Sequence, residues 1–368
     1  MDEQKISAHQ LGVIAGILFF TLKMSTLPSL IYEYNGTGAV LSTLFVILLN
    51  FGFLWLIVWI KKKYKNMSLF DIFCQKIGKF ATKLLYFIFF AFFVLKLLLM
   101  LSDSFTFIKD VADEEFSIFN LFICFLPVIS ALAYSGIRSL GRTAEFFFPL
   151  IVFSLVLLIA FSFVPISSWG LGDLIQNGFS GFFNSIFRLS FWTGDLFALL
   201  IFLDKLEIKQ GKKHQLFVPF CVMAVLLLII YIVYYIFYQE TSMFHTNVLN
   251  DIVQYAIGTS GGWHMDIFAI VAFMFNIYIQ GAVLLYCAND CLKKVIGYEY
   301  DVMTFIFINI LLVGIEYLYL TDYLRYVAFA KNILCYFAFG ILLLVPILLA
   351  VCLISKKGKK NEIVKKNN

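Results

Sequence analysis

Three ionisable residues stand inside apolar runs. Lys23 lies near the middle of Leu11–Ile31, within Phe19-Phe20-Thr21-Leu22-Lys23-Met24-Ser25-Thr26-Leu27-Pro28. Asp195 lies in Arg188-Leu189-Ser190-Phe191-Trp192-Thr193-Gly194-Asp195-Leu196. Lys96 is central in Ala81–Leu101. An ionisable group at bilayer depth is costly, so it calls for a partner, a cavity or a purpose. Lys23 and Asp195 have opposite charges. They can pair in an empty site and release each other for a ligand. Exposed carbonyls or an acid suit an ammonium group, and the positive end of a half-helix suits a carboxylate. The chemistry is therefore binding of a small zwitterion. The candidate ligand-binding residues are Thr21, Lys23, Ser25, Trp192, Thr193, Gly194 and Asp195. The competing reading is a structural ion pair, or a lysine that snorkels to one interface.

Lys96 either pairs with an acid or serves as a proton-titrating coupling group. Asp103, seven residues on, falls on roughly the same helix face. Asn276 and Gln280 are one turn apart, so they either bond between helices or line the cavity. Trp192 gates the cavity or packs. Glu316 is expected near the outer end of its span, within reach of water, and Asn50 is expected to join helices. Gly12 and Gly16 form a GxxxG that allows close helix approach.

The elements that position these residues follow from composition. The 368 residues are 62% hydrophobic and 14% charged, with mean hydropathy +0.91. Soluble domains are roughly 45–50% apolar and about 25% charged, so an integral membrane protein is expected. Met1–Gln10 is polar and the run after it is too long for a signal core, so the first helix is expected to stay as an anchor. Apolar runs near the ~20 residues needed to cross the hydrocarbon fall at Leu11–Ile31, Gly38–Ile60, Ala81–Leu101, Ser117–Tyr134, Phe146–Val164, Ile186–Leu203, Gln215–Tyr238, Trp263–Cys287, Val302–Leu320 and Ala328–Ile354. Ser68–Phe80 reads as a short interfacial helix.

Basic residues alternate by loop. Lys61–Lys65, Arg138 with Arg142, Lys205–Lys213, Lys293 with Lys294, and the tail fall on one side, and the opposite loops hold chiefly Lys109 and Arg325. The positive-inside rule then places both termini in the cytoplasm. The +5 formal charge thus reports topology rather than nucleic-acid binding. The expected fold is all-α and membrane-integral: ten transmembrane helices in one domain, residues 1–368, with a basic cytoplasmic tail at 355–368. Five spans in each half, about 11–164 and 186–354, make a 5+5 inverted repeat of LeuT-like type. Its first and sixth helices are broken around Pro28 and Gly194.

Enzyme motifs are missing. There is no HExxH, GxSxG or Walker-type GxxxxGK, and the seven cysteines show neither disulfide nor zinc spacing. No enzyme activity, cofactor or metal is expected.

Several segments carry a resemblance. Lys5-Ile6-Ser7-Ala8-His9-Gln10-Leu11 resembles the K-I-S-x-x-Q-L start of the GerAB-type spore germination proteins. Thr21–Pro28 occupies the place of their first-helix break. Tyr64-Lys65-Asn66-Met67-Ser68-Leu69 is similar to the segment before their third span. Tyr134-Ser135-Gly136-Ile137 with Arg142-Thr143-Ala144-Glu145 resembles their Y-x-x-x-G…R-x-x-E loop. Phe191–Asp195 matches their F-x-x-G-E with Asp for Glu. The resemblance implies a ten-span relative of the amino acid/polyamine/organocation transporters. It implies the membrane subunit of a germinant receptor that senses an amino acid or similar nutrient in the bacterial cell or inner spore membrane. Its partners would be a larger membrane subunit, a lipoprotein subunit and the lipid bilayer. Two departures stand out: relatives keep small residues where this chain has Thr21 and Lys23, and Asp195 is a shorter acid than theirs. A permease of the same fold is the alternative.

Overall fold

The computed structural model describes residues 5–24, 26–64, 67–112, 118–161, 178–208, 213–245, 248, 251–252, 266–297, 301–319 and 323–349. The expected basic tail, Ser25 and most of the two long loops, 165–185 and 239–262, lie outside the described residues. Among those described, the protein is helical apart from one two-residue parallel pair, β1 (Ile6–Ser7) with β2 (Leu206–Glu207).

The first apolar run is interrupted. α1 (Ala8–Phe20) starts at a capping box, in which Ser7 and Gln10 satisfy each other's backbone amides. It gives way to a 3-10 turn, Thr21–Lys23. α2 (Leu27–Asn35) then restarts with Pro28 in its first turn, where a missing amide hydrogen costs nothing. α3 (Ala39–Lys63) follows, and then the short α4 (Leu69–Ile77), whose capping box pairs Ser68 with Asp71. Gly78 ends α4 at φ 85°, a conformation that glycine adopts without strain.

α5 (Lys79–Ala112) is a single helix that carries Lys96 and continues through Ser102-Asp103-Ser104. α6 (Ile118–Tyr134) and α7 (Ile137–Phe161) complete the first half. The second half opens with α8 (Gly178–Arg188), the single turn α9 (Ser190–Thr193), and a nine-residue 3-10 helix, Gly194–Phe202. Segments Gly181–Arg188 and Ser190–Phe202 meet at 62°. The bend falls at Leu189, before the expected Gly194. So long a 3-10 run is uncommon and marks a hinge or a constrained segment.

α10 (His214–Tyr238), α11 (Asp266–Ile296) and α12 (Asp301–Tyr319) come next. The last is α13 (Arg325–Leu349), with a π turn at Ala330–Leu334. Among the described residues, six stretches are long and apolar enough to span a bilayer, or seven with the bent pair. Three shorter apolar helices, Ala8–Phe20, Phe119–Tyr134 and Val302–Tyr317, accompany them. Large hydrophobics such as Leu48, Trp55, Phe80, Phe146, Phe153 and Ile347 face outward, as a lipid-contacting surface requires.

α1 is wrapped by protein and buried from Leu11 to Phe20. The GxxxG makes this possible. A Cβ on Gly12 would lie 2.5 Å from the carbonyl oxygen of Leu216, and one on Gly16 2.9 Å from Cγ of Met223. Two glycines thus seat α1 directly on α10.

Candidate functional site

The two interrupted helices meet in the protein interior. Lys23, in the turn between α1 and α2, reaches Asp195 at the start of the 3-10 helix. Lys23 Nζ lies 2.7 Å from Asp195 Oδ2 and donates to the carbonyl of Trp192 at 3.2 Å. Lys96 arrives from α5. Its Nζ lies 2.7 Å from Asp195 Oδ1 and donates to the carbonyl of Phe191. Gln280 on α11 donates to the same Oδ1 at 3.4 Å. Lys23, Lys96 and Asp195 are each at most 1% exposed.

Local structure explains why these groups are accessible to one another. A regular helix hides its carbonyls in i to i+4 bonds. The change at Leu189 and Gly194 leaves the carbonyls of Phe191 and Trp192 able to accept from side chains. Asp195 sits in the first turn of a helix, where the dipole favours a negative charge. The two ammonium groups also lie over aromatic faces, Lys23 over Phe19 at 4.8 Å and Lys96 over Phe191 at 5.4 Å. Such contacts favour a desolvated cation.

The other expected site residues divide. Thr21 is buried and donates to the carbonyl of Ile17 at 2.8 Å, within its own helix. Trp192 is fully buried, and its indole Nε1 has no hydrogen-bond partner among the described residues. Thr193 and Gly194 turn to a groove of about 520 Å³ shared with Asn50 of α3 and Leu342 of α13; neither lysine nor Asp195 lines it. Asn276 donates to Ala272 in its own helix at 2.7 Å, and its Oδ1 has no partner among the described residues. Ser25 lies outside the described residues.

Lys96 meets an acid, though not the one on its own helix face, and Glu316 and Asn50 differ from expectation. Asp103 does not meet Lys96 and instead accepts from Thr26 Oγ1 at 3.0 Å. Seven residues of helix separate Lys96 and Asp103 by about 10 Å, whereas Asp195 comes within contact. Glu316 is 3% exposed rather than at the water surface. Asn50 donates to Val46 of its own helix at 2.8 Å rather than to another helix.

Sequence reasoning missed the tyrosines of α10. Tyr231 Oη donates to the carbonyl of Lys23 at 2.6 Å, and Tyr235 Oη to that of Pro28 at 3.0 Å. The Lys23 carbonyl is a main-chain acceptor freed by the break, and the Pro28 carbonyl lies in the first turn of α2 just beyond it. Their signal was two tyrosines one turn apart deep in an apolar span, facing a neighbour with a proline.

Contacts also close both ends of the site. On the α2 side, Lys331 Nζ bonds Glu33 Oε2 at 2.6 Å and Arg188 donates to Asn332 at 3.2 Å. On the strand side, Lys205 donates to Tyr286 Oη at 2.7 Å and to Asp290 at 3.4 Å. Burial disfavours the charged Lys205, but the Asp290 carboxylate and the Tyr286 hydroxyl outweigh it and hold the amine above the ordinary lysine value.

A family model described as "Spore germination protein" matches residues 5–323. The chain belongs to this spore germination family. The match spans both interrupted helices, the Lys96 helix and the Gln280 helix, so the triad lies within the family region. No curated protein matches the chain. Together with its apolar helices, membership makes this a germination-related integral membrane protein.

Proposed function

We propose that the chain is the membrane subunit of a spore nutrient-germinant receptor. It binds an amino acid or similar small nutrient between its first and sixth crossings. The observation that carries this reading is the Lys23–Asp195–Lys96 triad, held where two interrupted helices of a spore germination protein meet. Irregular backbone at membrane depth is tolerated where protein or a cavity encloses it, and transporters place substrates at such breaks.

Ten crossings fit the helices. α1 with α2 makes one broken crossing and the bent pair another. The remaining eight are α3, α5, α6, α7, α10, α11, α12 and α13. The two breaks then occupy equivalent places in a LeuT-like 5+5 repeat. Both termini lie in the cytoplasm by the distribution of Lys and Arg. The chain is proposed to act without a cofactor and not as an enzyme, in the inner spore membrane, beside a larger membrane subunit and a lipoprotein subunit.

Germination dose–response in spores tests this. Lys23→Ala or Asp195→Ala, in a chain present at normal level, is expected to shift the nutrient response to higher concentration or abolish it. An unchanged response defeats the reading. A cation-coupled permease of the same fold is the second reading, and Lys96 favours it, since coupling uses a titratable group at the ligand. Uptake of labelled nutrient by vesicles holding this chain alone would establish it.

A further inference from the structure

Two ammonium groups and one carboxylate share the triad, and none is more than 1% exposed. Fully ionised, the cluster carries one positive charge beyond balance. Asp103 does not supply the difference: it lies about 10 Å along α5 from Lys96 and accepts from Thr26. An unbalanced charge in apolar surroundings is costly. The cluster is therefore suited to one further anion.

The hydrogen bonds point the same way. Both oxygens of Asp195 already accept from a lysine. The carbonyls of Phe191 and Trp192, freed by the bend, accept from Lys96 and Lys23. The acceptors that would greet a ligand's ammonium are thus held by two tethered ammonium groups. Donors are in surplus. Among the described residues, each lysine has two such acceptors for its three N–H groups. The buried indole N–H of Trp192, whose own carbonyl holds Lys23, has no acceptor among those residues.

We propose that the site takes a small organic carboxylate with no ammonium group of its own, held by Lys23 and Lys96. The inference rests on the ligand-binding reading above and narrows its ligand class. A ligand ammonium would have to displace a tethered one from Asp195 and would sit beside another cation. A carboxylate needs only to draw the lysines partly away from Asp195, and it completes the charge balance.

Thermal denaturation of the purified full-length chain in detergent tests this. The probes are the sodium salts of straight-chain monocarboxylates from acetate to valerate, alanine, and propylamine hydrochloride, each against sodium chloride at equal ionic strength. At least one carboxylate is expected to raise the midpoint saturably, and propylamine is not. Lys23→Gln and Lys96→Gln, taken only as monodisperse preparations, are expected to raise the half-saturating carboxylate concentration tenfold or more. Lys96→Arg, which keeps the charge, is expected to lose less. A rise with alanine or propylamine but with no carboxylate overturns the ligand class while leaving the nutrient site standing. No rise with any carboxylate, or a rise that survives both glutamine variants unchanged, overturns the proposal; the germination assay still judges the wider reading.

Discussion

Tyr231 of α10 donates its phenolic hydrogen to the main-chain carbonyl of Lys23, 2.6 Å away. The bond caps a backbone group that the break between α1 and α2 leaves without a helical partner. It also fixes the residue whose side chain reaches Asp195. Tyr231→Phe keeps the packing and removes this one donor. A lost hydrogen bond that strands a buried acceptor costs about 1–3 kcal/mol. The expected result is a lower thermal midpoint and a right-shifted germination dose–response. Loss of stability with an unchanged response would limit the tyrosine to a structural role.

The triad predicts unequal costs for its members. Asp195→Asn leaves two buried ammonium groups without a carboxylate, whereas Lys23→Met or Lys96→Met leaves one intact pair. Breaking a buried pair costs about 3–5 kcal/mol when a charge is stranded. Asp195→Asn is expected to lower the midpoint more than either lysine variant, and Lys23→Met added to Asp195→Asn is expected to recover part of the loss. Purified variants compared by thermal denaturation decide this. Equal or reversed costs would mean that the cluster does not hold two charged lysines.

Glycine substitutions separate packing from helix propensity. Gly12→Ala drives a methyl group into the main-chain oxygen of Leu216, where the built Cβ is only 2.5 Å away. Overpacking of this kind costs about 1–3 kcal/mol. Gly52→Ala meets nothing within 4 Å and is expected to be neutral or slightly stabilising. Detergent-solubilised yield and midpoint, measured side by side, give the comparison.

Glu316 offers the opposite sign. It is 3% exposed, and its Oε2 has no hydrogen-bond partner among the described residues. Replacing an incompletely satisfied buried group with an apolar one of similar size is often neutral or stabilising. Glu316→Leu is therefore expected to hold or raise the midpoint. A marked fall would reveal a partner that the carboxyl needs.

The sequence made the general outline readable for physical reasons. Apolar length marks a crossing, and Pro28 marks where α2 restarts. The opposite charges of Lys23 and Asp195 made their meeting foreseeable, because lipid forbids leaving either alone. Other features depended on tertiary position. Asp103 shares a helix with Lys96, so spacing favoured it, yet Asp195 from a different helix is nearer. Glu316 looked close to water because its span was drawn without its neighbours. The bend sits at Leu189 rather than Gly194, and no proline or glycine at that residue announces it. Tyr231 was unremarked because its acceptor appears only once the neighbouring backbone breaks.

One small feature has a mechanical meaning. The strand Ile6–Ser7, just before α1, is laced to Leu206–Glu207, just after the 3-10 helix, by main-chain bonds such as Ile6 N to the carbonyl of Lys205 at 2.9 Å. The two interrupted helices are therefore joined at their breaks by the triad and at one end by this ladder. Loosening the triad leaves the ladder as a fulcrum. The free travel then lies at the far end, where α2 and α8 are each clasped to α13, by Glu33 with Lys331 and by Arg188 with Asn332, so the pair would part like the blades of shears.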